Sequence, residues 1–126
     1  MNKKVIALFL SVMLVVAASI PVEAASFPFW GDEQVYTYYG SLGLVYDGVT
    51  ASIDVTKVDT DYDDIYTWVS GTAYPDPELG GLTNVTIAAY GWNGCYFSRV
   101  YSGLKSAECA FYVEYNKVKQ INASLW

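Results

Sequence analysis

Apolar and polar residues alternate with period two through most of this chain. No window carries the capped 3.6-residue period of a helix. In Thr50–Thr56, Ala51, Ile53 and Val55 share one face and polar residues hold the other. Leu82–Tyr90 repeats the pattern, with Val85, Ile87 and Ala89 on the inward parity. Within Ile65–Tyr74, Ile65, Val69 and Ala73 share one parity, while Tyr66, Trp68 and Tyr74 share the other. Further strands are expected over Gln34–Tyr39, Leu42–Tyr46, Cys95–Tyr101 and Cys109–Val118, with turn signals at Gly40-Ser41, Gly91-Trp92-Asn93-Gly94 and Ser102-Gly103. Strands and turns at this spacing predict an all-β chain. We expect a single small β-sandwich, immunoglobulin-like or jelly-roll-like, of about seven antiparallel strands. A length of 126 residues leaves room for one such domain.

The first residues read differently. Met1-Asn2-Lys3-Lys4 is a short basic segment, and an apolar run from Val5 to Ala18 follows, broken only by Ser11. Pro21 then precedes Val22-Glu23-Ala24, with small residues at the positions a signal peptidase reads. At about 14 residues the run falls short of the roughly 20 that span a bilayer. We expect a signal peptide over 1–24, a mature domain over 25–126, a secreted location, and no membrane insertion after cleavage. The Lys-Lys start is bacterial in style.

That location bears on the two cysteines. An exported chain meets an oxidising environment, so Cys95 and Cys109 are expected to form a structural disulfide. Closing a loop of about 15 residues is worth roughly 3 kcal/mol in the chain-entropy model. The pair is a poor metal site without histidine, and its spacing is not that of a redox C-x-x-C motif.

Charge and composition exclude several functions. Seven basic residues face thirteen acidic ones, a net charge of −6, which argues against nucleic acid and anionic membrane surfaces as partners. The chain has no histidine, which removes Ser-His and Cys-His mechanisms and the commonest zinc ligand. Glu33, Asp47, Glu78, Glu108 and Glu114 offer carboxylates, but no spacing selects a pair for glycoside chemistry. No nucleophile motif occurs, so no catalysis is expected. Arg99 shares strand parity with Cys95 and Phe97, which places it inward or at a strand end.

Two features remain as candidate sites. All 12 tyrosines and 4 tryptophans lie beyond residue 24, and Tyr66, Trp68 and Tyr74 would form an aromatic row opposite the core face. Such rows stack on sugar rings and line protein interfaces. Asp59, Asp61 and Asp63 alternate in a loop, the way hard cations are held, and would be the first ligands of a calcium site. The run then departs from EF-hand spacing, with Asp64 at the glycine position and Ser70 at the final glutamate. Solvation of the loop is the plainer account.

The expected function is binding through the Tyr/Trp-rich surface, with a glycan, a cell-envelope component or a protein as ligand. One alternative is a self-assembling, homo-oligomeric surface protein, with Ser26-Phe27-Pro28-Phe29-Trp30 as a donated segment or strand. The other is a small secreted toxin of bacteriocin type.

Overall fold

A computed structural model describes residues 24–126, and the signal peptide expectation therefore lies almost wholly outside the described residues. Eight strands form: β1 (Ala24–Asp32), β2 (Tyr36–Val45), β3 (Gly48–Lys57), β4 (Tyr66–Pro75), β5 (Val85–Trp92), β6 (Gly94–Val100), β7 (Leu104–Val113) and β8 (Asn116–Ser124). They pair antiparallel throughout, in two four-stranded sheets of order β1-β2-β3-β6 and β5-β4-β7-β8. The chain is an all-β sandwich. Its strand order is not the ABED/CFG arrangement of immunoglobulin constant domains.

The core is what the period-two pattern dictates. Val49, Ala51, Ile53 and Val55 on β3 face Val69 and Ala73 on β4 and Phe111 and Val113 on β7, all buried. Thr67 is the buried polar residue among them, and its hydroxyl donates to the Gly91 carbonyl at 2.9 Å. Every buried side-chain N or O atom among the described residues has a partner, as a stable sandwich interior requires.

Several segments differ from expectation, each for a local reason. Gly40-Ser41 is not a turn. β2 runs straight through it, because a Cβ at Gly40 would come within 2.5 Å of the Phe29 ring. The glycine makes room for that ring, which packs edge-on against Phe111 at 4.7 Å. β1, which includes Ser26–Trp30, pairs with β2 along its whole length as an edge strand of its own chain. Pro28, which has no N–H to give a ladder, sits on this edge strand, where a sheet tolerates it. Finally, Cys109–Val118 is divided between β7 and β8 by a two-residue turn, Glu114-Tyr115, both with positive φ (52° and 68°).

The two sheets are joined at one side by the β5–β6 turn. Asn93, at φ 62°, donates its backbone N–H to the Ile65 carbonyl (2.6 Å) and accepts from Val55 N (3.1 Å). Its side-chain Oδ1 accepts from Ile65 N at 2.9 Å. One residue thus ties the end of β3 and the approach to β4 to the turn between sheets. On the opposite side β1 and β8 are the edge strands among the described residues, and β8 carries the exposed Lys117 and the half-buried Val118 followed by exposed Lys119.

Candidate functional site

The outer face of the second sheet gathers the aromatic residues. Opposite parity to the core turns Tyr66 and Trp68 of β4, Tyr90 and Trp92 of β5 and Tyr112 of β7 outward. Register then sets them side by side: Trp92 opposite Tyr66, and Tyr90, Trp68 and Tyr112 in one row across three strands. Tyr115 joins them from the β7–β8 turn. Tyr66 is the hub. Its ring stacks on Tyr115 at 5.3 Å and on Tyr90 at 6.4 Å, and meets Trp92 edge-on at 5.4 Å. Trp68 stacks on Tyr112 at 4.6 Å. Despite this mutual packing, Tyr90, Trp92 and Tyr115 stay 75 %, 64 % and 76 % exposed. Beyond the rings the same face turns small and polar, through Ala88, Ser70 and Ala110 to Thr86, Thr72 and Glu108.

Of the three residues expected in the aromatic row, the structure brings two together. Tyr66 and Trp68 belong to the cluster. Tyr74 lies at the far end of β4, where its hydroxyl donates to Glu108 Oε2 at 2.9 Å and the carboxylate raises the phenol's pKa. Tyr90 and Tyr112 follow from the alternation of their own strands. Trp92 and Tyr115 were hidden in segments that read as a turn and as strand interior.

A cleft of about 520 Å³ borders this face, lined by Tyr62, Asp63, Asp64, Trp92 and Glu114. Trp92 belongs to both. Asp64 is already partnered: Lys57 Nζ lies 3.1 Å from Oδ1 and Asn93 Nδ2 donates to the same atom at 3.0 Å. These contacts, Asn93 first, hold its carboxyl below the usual carboxylate range. Asp63 and Glu114 supply the remaining negative charge.

Glu114 and Tyr115 reach the site at a cost. A two-residue hairpin turn with both φ values positive favours Asn-Gly, and each ordinary residue there costs about 1 kcal/mol. The turn is pinned by Glu114 N donating to the Tyr66 carbonyl at 2.9 Å. Glu114→Asn should therefore raise stability by roughly 0.5–1 kcal/mol, since asparagine tolerates the left-handed region. A urea midpoint that fails to rise would show that the turn is relaxed.

The aspartate run divides. Asp59 Oδ1 accepts from Asp61 N at 2.9 Å and the Asp59 carbonyl accepts from Tyr62 N at 3.0 Å, so this end of the run closes its own turn. Asp63 turns to the cleft instead. Among the described residues no three His, Cys, Asp or Glu side chains form a group suited to a metal ion, and Asp59, Asp61 and Asp63 are not brought together as calcium ligands. Arg99 is exposed near the end of β6, its guanidinium 5.9 Å from the Tyr101 ring.

Cys95 and Cys109 are unbonded thiols in the structure, where a disulfide was expected. Cys95, on β6 of the first sheet, lies beside the Thr67 side chain and the Val69 backbone. Cys109, on β7 of the second, is buried beside the Ser70 backbone. Both thus approach consecutive residues of β4 from inside the sandwich. Burial is the main cause of the raised pKa of each thiol, and it pushes that of Cys109 up to about 12.

Fold and face together define a small β-sandwich with a clustered aromatic surface. No family model, no curated protein and no solved structure matches the chain.

Proposed function

We propose that this protein is exported and acts by binding a glycan on the outer face of its second sheet, without catalysis. The observation that carries the reading is the cluster of Tyr66, Trp68, Tyr90, Trp92, Tyr112 and Tyr115. Three of its rings stay largely exposed, which a monomer gains nothing by doing unless something covers them. The outward positions around them are hydroxyl-bearing or small rather than aliphatic: Ser70, Thr72, Thr86, Ala88 and Ala110. Rings with polar tips, hydroxyls and nearby carboxylates suit a polyhydroxylated ligand, apolar on its ring faces and polar at its rim. In an oxidising location we further propose that Cys95 and Cys109 pair across the two sheets.

The test is a titration of the chain with a panel of neutral, amino and acidic oligosaccharides. At least one class should bind, and Tyr90→Ala and Trp68→Ala should each weaken it about tenfold or more with little change in melting. No binding anywhere in the panel, or binding indifferent to both substitutions, overturns the reading. A large assembly in light scattering that dissociates on the same substitutions would make the face a self-association surface instead.

A further inference from the structure

We infer that the ligand of this face is an amino-sugar polymer, a glycan whose rings carry ammonium groups. The inference rests on the glycan reading and adds the charge and extent of the ligand. Trp92, 64 % exposed, forms one wall of the cleft and Tyr62 another. An ammonium held over such a ring gains a cation–π attraction, which grows as water is excluded. In the same cleft, Asp63 and Glu114 bring carboxylates to the rings, while Asp64 is matched by Lys57 at 3.1 Å. Lys57–Asp64 is the one ion pair among the described residues.

The three ring-bearing strands of the face add one more carboxylate. Outward positions of β4, β5 and β7 from Tyr66 to Tyr112 include Glu108 and neither Lys nor Arg. The one cation beside the rings is Lys117 of β8, which pairs with Tyr112 at the edge of the row, so carboxylates outnumber it three to one over the cleft and this face. Glu108 is level with Thr72, six residues along β4 from Tyr66, which is roughly 20 Å at the rise of a strand. A chain of several sugars lying along β4 thus meets carboxylates at both ends and aromatic rings at one. A polymer bearing carboxylates would meet like charge at Glu114, Asp63 and Glu108, which selects against it.

The experiment compares β-1,4-linked glucosamine oligomers with their fully N-acetylated counterparts by calorimetric titration. The two share a backbone and differ in charge. The glucosamine oligomer should bind at least about tenfold more tightly. Raising ionic strength from about 0.01 M to about 1 M, which shortens the screening length from about 30 Å to about 3 Å, should erase most of that preference. Glu114→Gln and Asp63→Asn should each weaken glucosamine binding about threefold to fivefold, the range of an exposed ion pair, and leave the N-acetylated oligomer unmoved. Trp92→Ala should weaken both.

Equal or tighter binding of the N-acetylated oligomer overturns the charge assignment and leaves the glycan reading standing. Glucosamine binding that ignores Glu114→Gln and Asp63→Asn removes the ligand from this cleft. Binding of neither oligomer, nor of any other glycan, overturns both.

Discussion

Gly71→Ala is expected to destabilise the protein by about 2–4 kcal/mol, a fall in melting temperature of roughly 10–25 °C for a domain this size. Gly71 sits in the middle of β4 opposite Cys109 of β7. A Cβ there would lie 2.0 Å from the Glu108 carbonyl oxygen and 2.7 Å from the Cys109 Cα. Both obstacles are backbone, so no side chain can swing aside. The cost must be met by separating β4 from β7, the central pair of the second sheet, and that pair underlies the row of Tyr90, Trp68 and Tyr112. The variant should therefore lose glycan binding along with stability. Denaturation of the reduced protein measures the first effect, and an unchanged midpoint would show that the strands have slack the geometry denies them.

Oxidation of the two thiols should raise the melting temperature by roughly 10–20 °C, the equivalent of about 3 kcal/mol for a closed loop of about 15 residues. Each thiol gives up a proton and an electron to a disulfide donor, which leaves reduced as a dithiol. The proof must be made in denaturant without reductant. In the folded chain Cys109 is buried and its pKa is pushed up to about 12, so it resists alkylation whether bonded or free. Two reactive thiols in the unfolded, unreduced chain would sink the pairing. The same pKa supplies a second readout. In the reduced protein the unfolded thiol loses its proton near its ordinary value of 9.0 while the folded one keeps it. Stability fully present below that pH is then lost as pH rises toward 12. Oxidised protein has no thiol to titrate, so this part of its alkaline decline should vanish, as it should in reduced Cys109→Ala.

Much of the fold was legible because a strand advertises its buried face in every second residue. β3, β4 and β5 emerge from parity alone, and so does the outward set of Tyr66 and Trp68. What escaped was governed by contacts distant in sequence. Gly40 reads as a turn until Phe29 is known to need its space. Glu114-Tyr115 lacks the turn residues that would announce a hairpin, since the energy that holds it comes from Tyr66, through a stack and a hydrogen bond. Trp92 lies among Gly91, Asn93 and Gly94, so its segment reads as a turn although the residue closes β5 and walls the cleft. Cluster and cleft arise where three strands and two turns converge, and no stretch of sequence contains that meeting.

β6 returns to the first sheet to pair with β3 only after β4 and β5 have been laid into the second. Between the two partners lies a complete hairpin of the other layer. Closure of this loop must therefore be met before the pairing repays it, which places the chain among slow folders dominated by non-local contacts, on a scale of milliseconds to seconds. Until such a pairing forms, an unmatched strand is an invitation to a neighbouring molecule. Pro28 on β1 and Lys117 and Lys119 on β8 guard two of the four edge strands. They serve the molecule most before it has finished becoming itself.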